Sequence, residues 1–192
     1  MKLIFASHNK NKTKEIAAIF QGFAEVSSLE DIGFFEEIAE TGSTLEENAD
    51  IKATAVYNTT SLSCFADDTG LLVEALGGAP GVYSARFAGP ERSAEANNHK
   101  LLQDLVQTEN RSAKFVTIIC MIVAGEKHFF KGELEGRIAM EYSGSNGFGY
   151  DPIFIPNGFA KSLAEMSLEE KNAISHRAKA FMKMLDFLKG KS

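Results

Sequence analysis

The run Phe115 to Ala124 is apolar and rich in β-branched residues, broken only by Thr117 and far too short to cross a membrane. It reads as a central strand, and a central strand must have neighbours. The candidates are Leu3 to Ala6, Val26 to Leu29, Leu62 to Ala66, His128 to Leu134, Arg137 to Glu141 and Ile153 to Ile155, with Leu71 to Leu76 as a further ordered segment. Helical patterns lie between them. Ile16, Ile19 and Phe20 share one helix face, and Leu101, Leu102 and Leu105 mark a surface helix over Ser93 to Val106. Thr44-Leu45-Glu46-Glu47 has the spacing of a capping box, and the helix it opens carries Ala49, Ala53 and Val56 to about Tyr57. Ser167-Leu168-Glu169-Glu170 is a second box, followed by helix that breaks near Asn172 and restarts with Ser175 as N-cap. Strands and helices interleave without strict βαβ alternation, which gives an α/β class with a mixed sheet. At 192 residues the chain makes one domain or two small lobes, without repeats.

The formal charge of −6 excludes broad, non-specific nucleic-acid binding, which needs a basic surface. It leaves room for a small polyanion held by local lysines and a divalent cation. Cys64 and Cys120 stand alone inside apolar runs, so both read as buried reduced thiols rather than a disulfide or a zinc site. The N-terminal apolar run is too short for a signal peptide and no segment is long enough for a membrane span, so the expectation is a cytoplasmic chain with no membrane partner.

Four segments have residue types suited to chemistry. The loop Ser7-His8-Asn9-Lys10-Asn11-Lys12 joins a strand to a helix, and free amides, lysines and small polar groups there suit phosphate. Lacking glycines, it equally fits an ordinary polar connection. Asp67-Asp68-Thr69-Gly70 ends an apolar strand. Its carboxylates suit Mg²⁺ and can orient a water for attack on phosphorus, and the same four residues are good turn formers. Glu40 is a third acid, ahead of the capped helix. Gly144 to Asp151 combines three glycines with Phe148 and Tyr150, which suits close approach to, and stacking on, a flat ligand. Lys171, His176 and Arg177 lie near the start of the last helix, as donors to a carbonyl oxygen or as a surface basic group.

The order of these blocks resembles the inosine triphosphate pyrophosphatase (XTP/dITP diphosphatase) family over nearly the whole chain. Asn9-Lys10-Asn11-Lys12-Thr13-Lys14-Glu15 is similar to that family's opening Asn-x-x-Lys-x-x-Glu, and Glu40-Thr41-Gly42-Ser43-Thr44-Leu45-Glu46-Glu47-Asn48-Ala49 to its second motif. Ala66-Asp67-Asp68-Thr69-Gly70-Leu71 followed by Gly77-Gly78-Ala79-Pro80-Gly81-Val82-Tyr83-Ser84-Ala85-Arg86 matches the longest one. Phe148-Gly149-Tyr150-Asp151-Pro152 and Ser175-His176-Arg177 complete the set. The resemblance implies a long mixed β-sheet flanked by helices, two lobes with a central substrate cleft, and a homodimer. It implies Mg²⁺-dependent hydrolysis of ITP, dITP or XTP to monophosphate and pyrophosphate.

By position, the resemblance makes Asp68 the proton acceptor and, with Glu40, the metal ligand. It makes Ser7, His8, Asn9, Lys10, Asn11 and Lys12 the phosphate segment, with Thr69 as a hydroxyl contact. Phe148, Gly149, Tyr150, Asp151, Lys171, His176 and Arg177 become the base and sugar contacts. Two departures are small: Thr69 stands where serine is commoner, and Ser7-His8 replaces a commoner Thr-x pair. The competing readings are a Maf-like pyrophosphatase with another base preference and a non-catalytic nucleotide-binding regulator.

Overall fold

The computed structural model describes residues 1–8 and 10–190, and the side chains of all of these except 10, 11, 14, 15 and 18. The elements run β1 (Lys2–Phe5), α1 (Lys10–Ile19), β2 (Glu25–Ser27), α2 (Leu45–Thr60), β3 (Cys64–Val73), α3 (Ala94–Asp104), β4 (Ser112–Val123), β5 (Glu126–Ile138), β6 (Phe154–Pro156), α4 (Leu168–Ile174) and α5 (His176–Gly190). Among the described residues the strands form one sheet in the order β2-β1-β3-β4-β5-β6. Parallel pairing of β1 with β2 and β3, and antiparallel pairing of β5 with β6, make it mixed. The helix α1 is the crossover that parallel β1 and β2 require.

Local chemistry explains most boundaries. Thr44 Oγ1 accepts from the Glu47 amide while Glu47 Oε2 accepts from the Thr44 amide, so α2 starts at the first capping box. The second box opens α4 in the same way, and Ser162 with Glu165 forms a third. The chain leaves α4 at Ser175, whose Oγ then accepts from the Ala178 amide and starts α5. The predicted restart is therefore present. Between β4 and β5, Ala124 and Gly125 both have positive φ, the backbone of a type I′ hairpin turn.

Two expectations change. Asp67-Asp68-Thr69-Gly70 does not form a turn: β3 passes straight through it to Val73. The segment His128 to Leu134 and the start of Arg137 to Glu141 belong to one strand, β5, which continues through Gly136 and ends at Ile138. A Cβ at Gly136 would stand 2.3 Å from the Ile155 carbonyl oxygen, so glycine here permits the close approach of β6 rather than a break.

The chain divides into two compact units. The first comprises Met1–Asp68, Ile118–Lys131 and Ala180–Ser192, and the second Thr69–Thr117 and Gly132–Lys179. The core of the first is aromatic: Phe5 stacks on Phe65 at 4.9 Å, and the Phe181 ring stands edge-on to Phe5, Phe20 and Phe65. Burying each such ring is worth roughly 1.5–3 kcal/mol. The core of the second gathers Leu71, Leu101, Phe115, Leu134, Tyr150 and Phe154. No helix among the described residues is long and apolar enough to cross a membrane.

Candidate active site

Side chains alternate along β3, and this alternation builds the acidic group of the first unit. Phe65 points into the core that α1 covers, and Asp67, two residues on, meets α1 as well. There the Lys12 ammonium donates to both Asp67 oxygens, at 3.2 and 3.1 Å. The even residues face α2 instead. The Cys64 thiol donates to the Ala53 carbonyl, and Asp68 Oδ1 lies 3.5 Å from the Lys52 ammonium. The adjacent acids thus have different partners on different helices.

Lys52 is the hub of the group. Its ammonium donates to Glu40 Oε1 at 2.6 Å and to the Asp67 carbonyl oxygen at 2.8 Å. Burial would lower its pKa, but the Asp68, Asp67 and Glu40 carboxylates outweigh burial and hold it above the ordinary lysine value. Burial pushes the Asp68 carboxyl up. The Lys52 charge and the Asn48 amide pull it down, while Glu40 and Asp67 add to the rise. Among the described residues, three carboxylates here face two ammoniums, Lys12 and Lys52.

The loop carrying Glu40 is tied to α2 by the Gly42 amide, which donates to Asn48 Oδ1 at 2.8 Å. A Cβ on Gly42 would meet Asn48 Oδ1 at 2.7 Å and the Glu47 Cβ at 2.6 Å, so glycine is needed for this approach.

The donor set suits a hard cation. Asp68 Oδ2 is a buried oxygen without a hydrogen-bond partner, and Glu40 converges with Asp68 on one ammonium. Among the described residues no three His, Cys, Asp or Glu side chains form a metal-binding group. Mg²⁺ needs none, because it is commonly held by one or two carboxylates, waters and the phosphates of its substrate.

Of the predicted phosphate segment, Asn9 and the side chains of Lys10 and Asn11 lie outside the described residues. Ser7 leaves β1 with its amide donating to the Phe5 carbonyl. His8 is exposed, with Nε2 3.2 Å from the Glu36 carbonyl oxygen. Thr69 lies in the second unit, where its hydroxyl shares a hydrogen bond of 2.7 Å with that of buried Thr117.

The second unit assembles the remaining predicted residues around Phe148, which is 61% exposed. The Lys171 ammonium lies 4.7 Å and the Arg177 guanidinium carbon 5.8 Å from the ring centre. Asp151 is buried, and its Oδ2 accepts from both the Lys171 ammonium and the Phe148 amide. Gly147, at φ 81°, permits this, because a Cβ there would stand 2.1 Å from Asp151 Oδ2. His176 is buried and stacks on Phe115 at 4.8 Å and 15°.

Tyr150 departs from its expected place as a stacking residue. It is 5% exposed within the apolar core, and its hydroxyl donates to the Ser84 carbonyl. Burial pushes its phenol far above the usual value. The residue supports the loop from inside, and the exposed aromatic face belongs to Phe148.

Sequence reasoning missed Lys52 and Asn48. Both stand one turn apart on the helix that the capping box announces, and nothing local distinguishes Lys52 from a solvated helix lysine.

Three kinds of comparison agree. The Ham1 family profile matches residues 3–187. The dITP/XTP pyrophosphatase of Christiangramia forsetii is 52% identical over 98% of this chain and 99% of its own length. That of Porphyromonas gingivalis is 53% identical over 97% of each. Among solved structures, the Ham1 protein of Staphylococcus aureus has a TM-score of 0.95 at 41% identity over all of both chains. A HAM1 protein from Coxiella burnetii has a TM-score of 0.93 at 36% identity over 99% of both. This chain belongs to the Ham1 family.

Proposed function

We propose that this chain hydrolyses noncanonical purine nucleoside triphosphates, of the dITP, ITP and XTP kind, to the monophosphate and pyrophosphate. The observation that carries the reading is the Glu40–Lys52–Asp68 group, an acid pair with an orphaned buried oxygen. It stands in a chain about half identical to dITP/XTP pyrophosphatases along its length.

Mg²⁺ is the metal we assign, with Glu40 and Asp68 as the residues that would hold it. When bound it supplies charge neutralisation on the triphosphate. Asp68 then orients the attacking water and takes its proton. A carboxylate with an ordinary pKa of about 4 is a weak base, so positioning of the water matters more than basicity. Lys12 and the start of α1, with Ser7, His8, Asn9, Lys10 and Asn11, are assigned to the phosphates. Thr69 is assigned to the same end of the substrate.

Phe148 is the platform for the base, and Gly149, Tyr150 and Asp151 shape and hold its loop. Hydrogen-bond polarity at the six-position supports discrimination against adenine. Hypoxanthine and xanthine carry an acceptor oxygen at the six-position, where adenine has an amine donor. Donors from Lys171, His176 and Arg177 pair with the first and oppose the second, and an unpaired buried donor costs about 1–3 kcal/mol. From the family resemblance we further assign a cytoplasmic homodimer, with the whole chain serving as one nucleotide-processing domain.

The test is a nucleotide panel with Mg²⁺, scoring pyrophosphate against orthophosphate. ITP, dITP and XTP should release pyrophosphate, and chelation of the metal should stop it. Orthophosphate as the sole primary product would mean attack at the terminal phosphorus and defeat the reading. Preference for dTTP or UTP would move the enzyme to the Maf-like class.

A further inference from the structure

Phe148 and its neighbour Gly149 are both held by hydrogen bonds to the backbone. On one side the Phe148 amide donates to Asp151 Oδ2 at 2.9 Å. On the other, the carbonyl of the following residue, Gly149, accepts from Asn98 Nδ2 at 2.9 Å. Asn98 belongs to α3, fifty-one residues away in sequence, and is 2% exposed. Its amide orientation is fixed by chemistry, because the opposite flip would set an oxygen against the Gly149 carbonyl.

The helix α3 braces this loop at several points. The Tyr142 hydroxyl donates to the Glu95 carbonyl at 3.2 Å, so both ends of the segment 142–150 reach α3. Asn97, beside Asn98, donates to the Ala85 carbonyl at 3.0 Å and accepts from the Ala88 amide at 2.7 Å. The Tyr150 hydroxyl returns to this second loop through the Ser84 carbonyl. Gly149 has φ 62°, a left-handed conformation in which its carbonyl is turned to meet Asn98.

We infer that Asn98 is a positioning residue for nucleobase binding: through the Gly149 carbonyl it fixes the conformation that presents the Phe148 ring. The inference rests on the assignment of Phe148 as the base platform. Asn98 touches no substrate and takes no part in the chemistry, so its effect should fall on KM for the nucleotide and leave kcat nearly unchanged. Its Oδ1 is buried and has no hydrogen-bond partner, so an apolar replacement removes an unsatisfied acceptor along with the donor.

Two variants of nearly the same shape separate the effects. Asn98→Leu deletes the donor, and Asn98→Asp replaces it with an acceptor that opposes the Gly149 carbonyl. With ITP as substrate and pyrophosphate as the readout, KM should rise about 3- to 10-fold in Asn98→Leu, the loss of one hydrogen bond, and further in Asn98→Asp. Turnover at saturation should stay within about twofold of the parent, as uniform-binding losses do.

The same substitutions made in a Phe148→Leu background should raise KM little further, because the platform they position is gone. Unchanged KM in both single variants, a parallel fall in kcat, or full additivity with Phe148→Leu would each overturn the inference. A parent enzyme that releases no pyrophosphate from ITP would instead defeat the proposed function. A Phe148→Leu variant with parental KM would defeat the platform assignment alone.

Discussion

Lys52 and Glu40, twelve residues apart in sequence, meet at 2.6 Å, and the same ammonium also holds the Asp67 carbonyl and faces Asp68. A lysine inside the acidic group offsets the mutual repulsion of the carboxylates around it.

Replacing Lys52 by Met should therefore do two kinds of damage. Stability should fall by about 2–4 kcal/mol, since removing one partner leaves the others partly buried and uncompensated. Thermal unfolding would report this, and turnover of ITP should drop by at least about tenfold as Glu40 and Asp68 lose their alignment. A folded variant with parental turnover would limit Lys52 to a structural role.

Asp68→Asn should nearly abolish pyrophosphate release without loss of fold. Its stability effect has a definite sign. The folded-state pKa of Asp68 is raised, so the group's favourable contribution is present below the ordinary carboxylate pKa of about 4 and lost as pH rises through the folded value. In metal-free protein, the Tm of Asp68→Asn relative to the parent should accordingly improve between pH 4 and neutral. A relative Tm that worsens over this range would contradict the burial of an ionised Asp68.

Arg177→Ala should narrow the preference for ITP over ATP by about tenfold, with little change in Tm. His176→Ala should narrow it too, but with a loss of about 1 kcal/mol from the Phe115 stack. Competition assays with the two nucleotides, alongside melting curves, check both. An unaltered preference in both variants would remove them from base selection.

Thr44→Ala should cost about 1 kcal/mol by opening the capping box of the helix that carries Asn48 and Lys52. For a chain of this size that is a Tm shift of about 2–4 °C, measurable by calorimetry.

Both thiols should resist modification in the native protein, because burial raises Cys64 and Cys120 to about 12. Titration with a thiol reagent should find neither until denaturant is added, and one fast-reacting thiol in the folded protein would contradict this.

Where the sequence was legible, the signal was local. Thr44 with Glu47, Ser167 with Glu170, and Ser175 each state a helix boundary in two or three residues, and the structure has them all. The acidic tetrad was misleading for a physical reason. Asp-Asp-Thr-Gly favours turns by itself, but pairing inside a sheet overrides that preference, and β3 continues. Tyr150 looks like Phe148 in sequence because burial of one ring and exposure of the other depend on contacts such as that with Ser84, sixty-six residues distant. Lys52 was invisible because a helix lysine ordinarily faces water, and only the folded position of Glu40 and Asp68 shows otherwise.

The unbroken passage of β3 through Asp67 and Asp68 also sets which mutations the gene can tolerate. Exchanging one side chain on this strand changes one contact. Deleting or inserting a single codon upstream within it would exchange the faces of everything beyond, turning Asp68 toward Lys12 and its neighbour toward Lys52. Drift in this segment should therefore proceed by substitution, with length changes confined to the loops on either side.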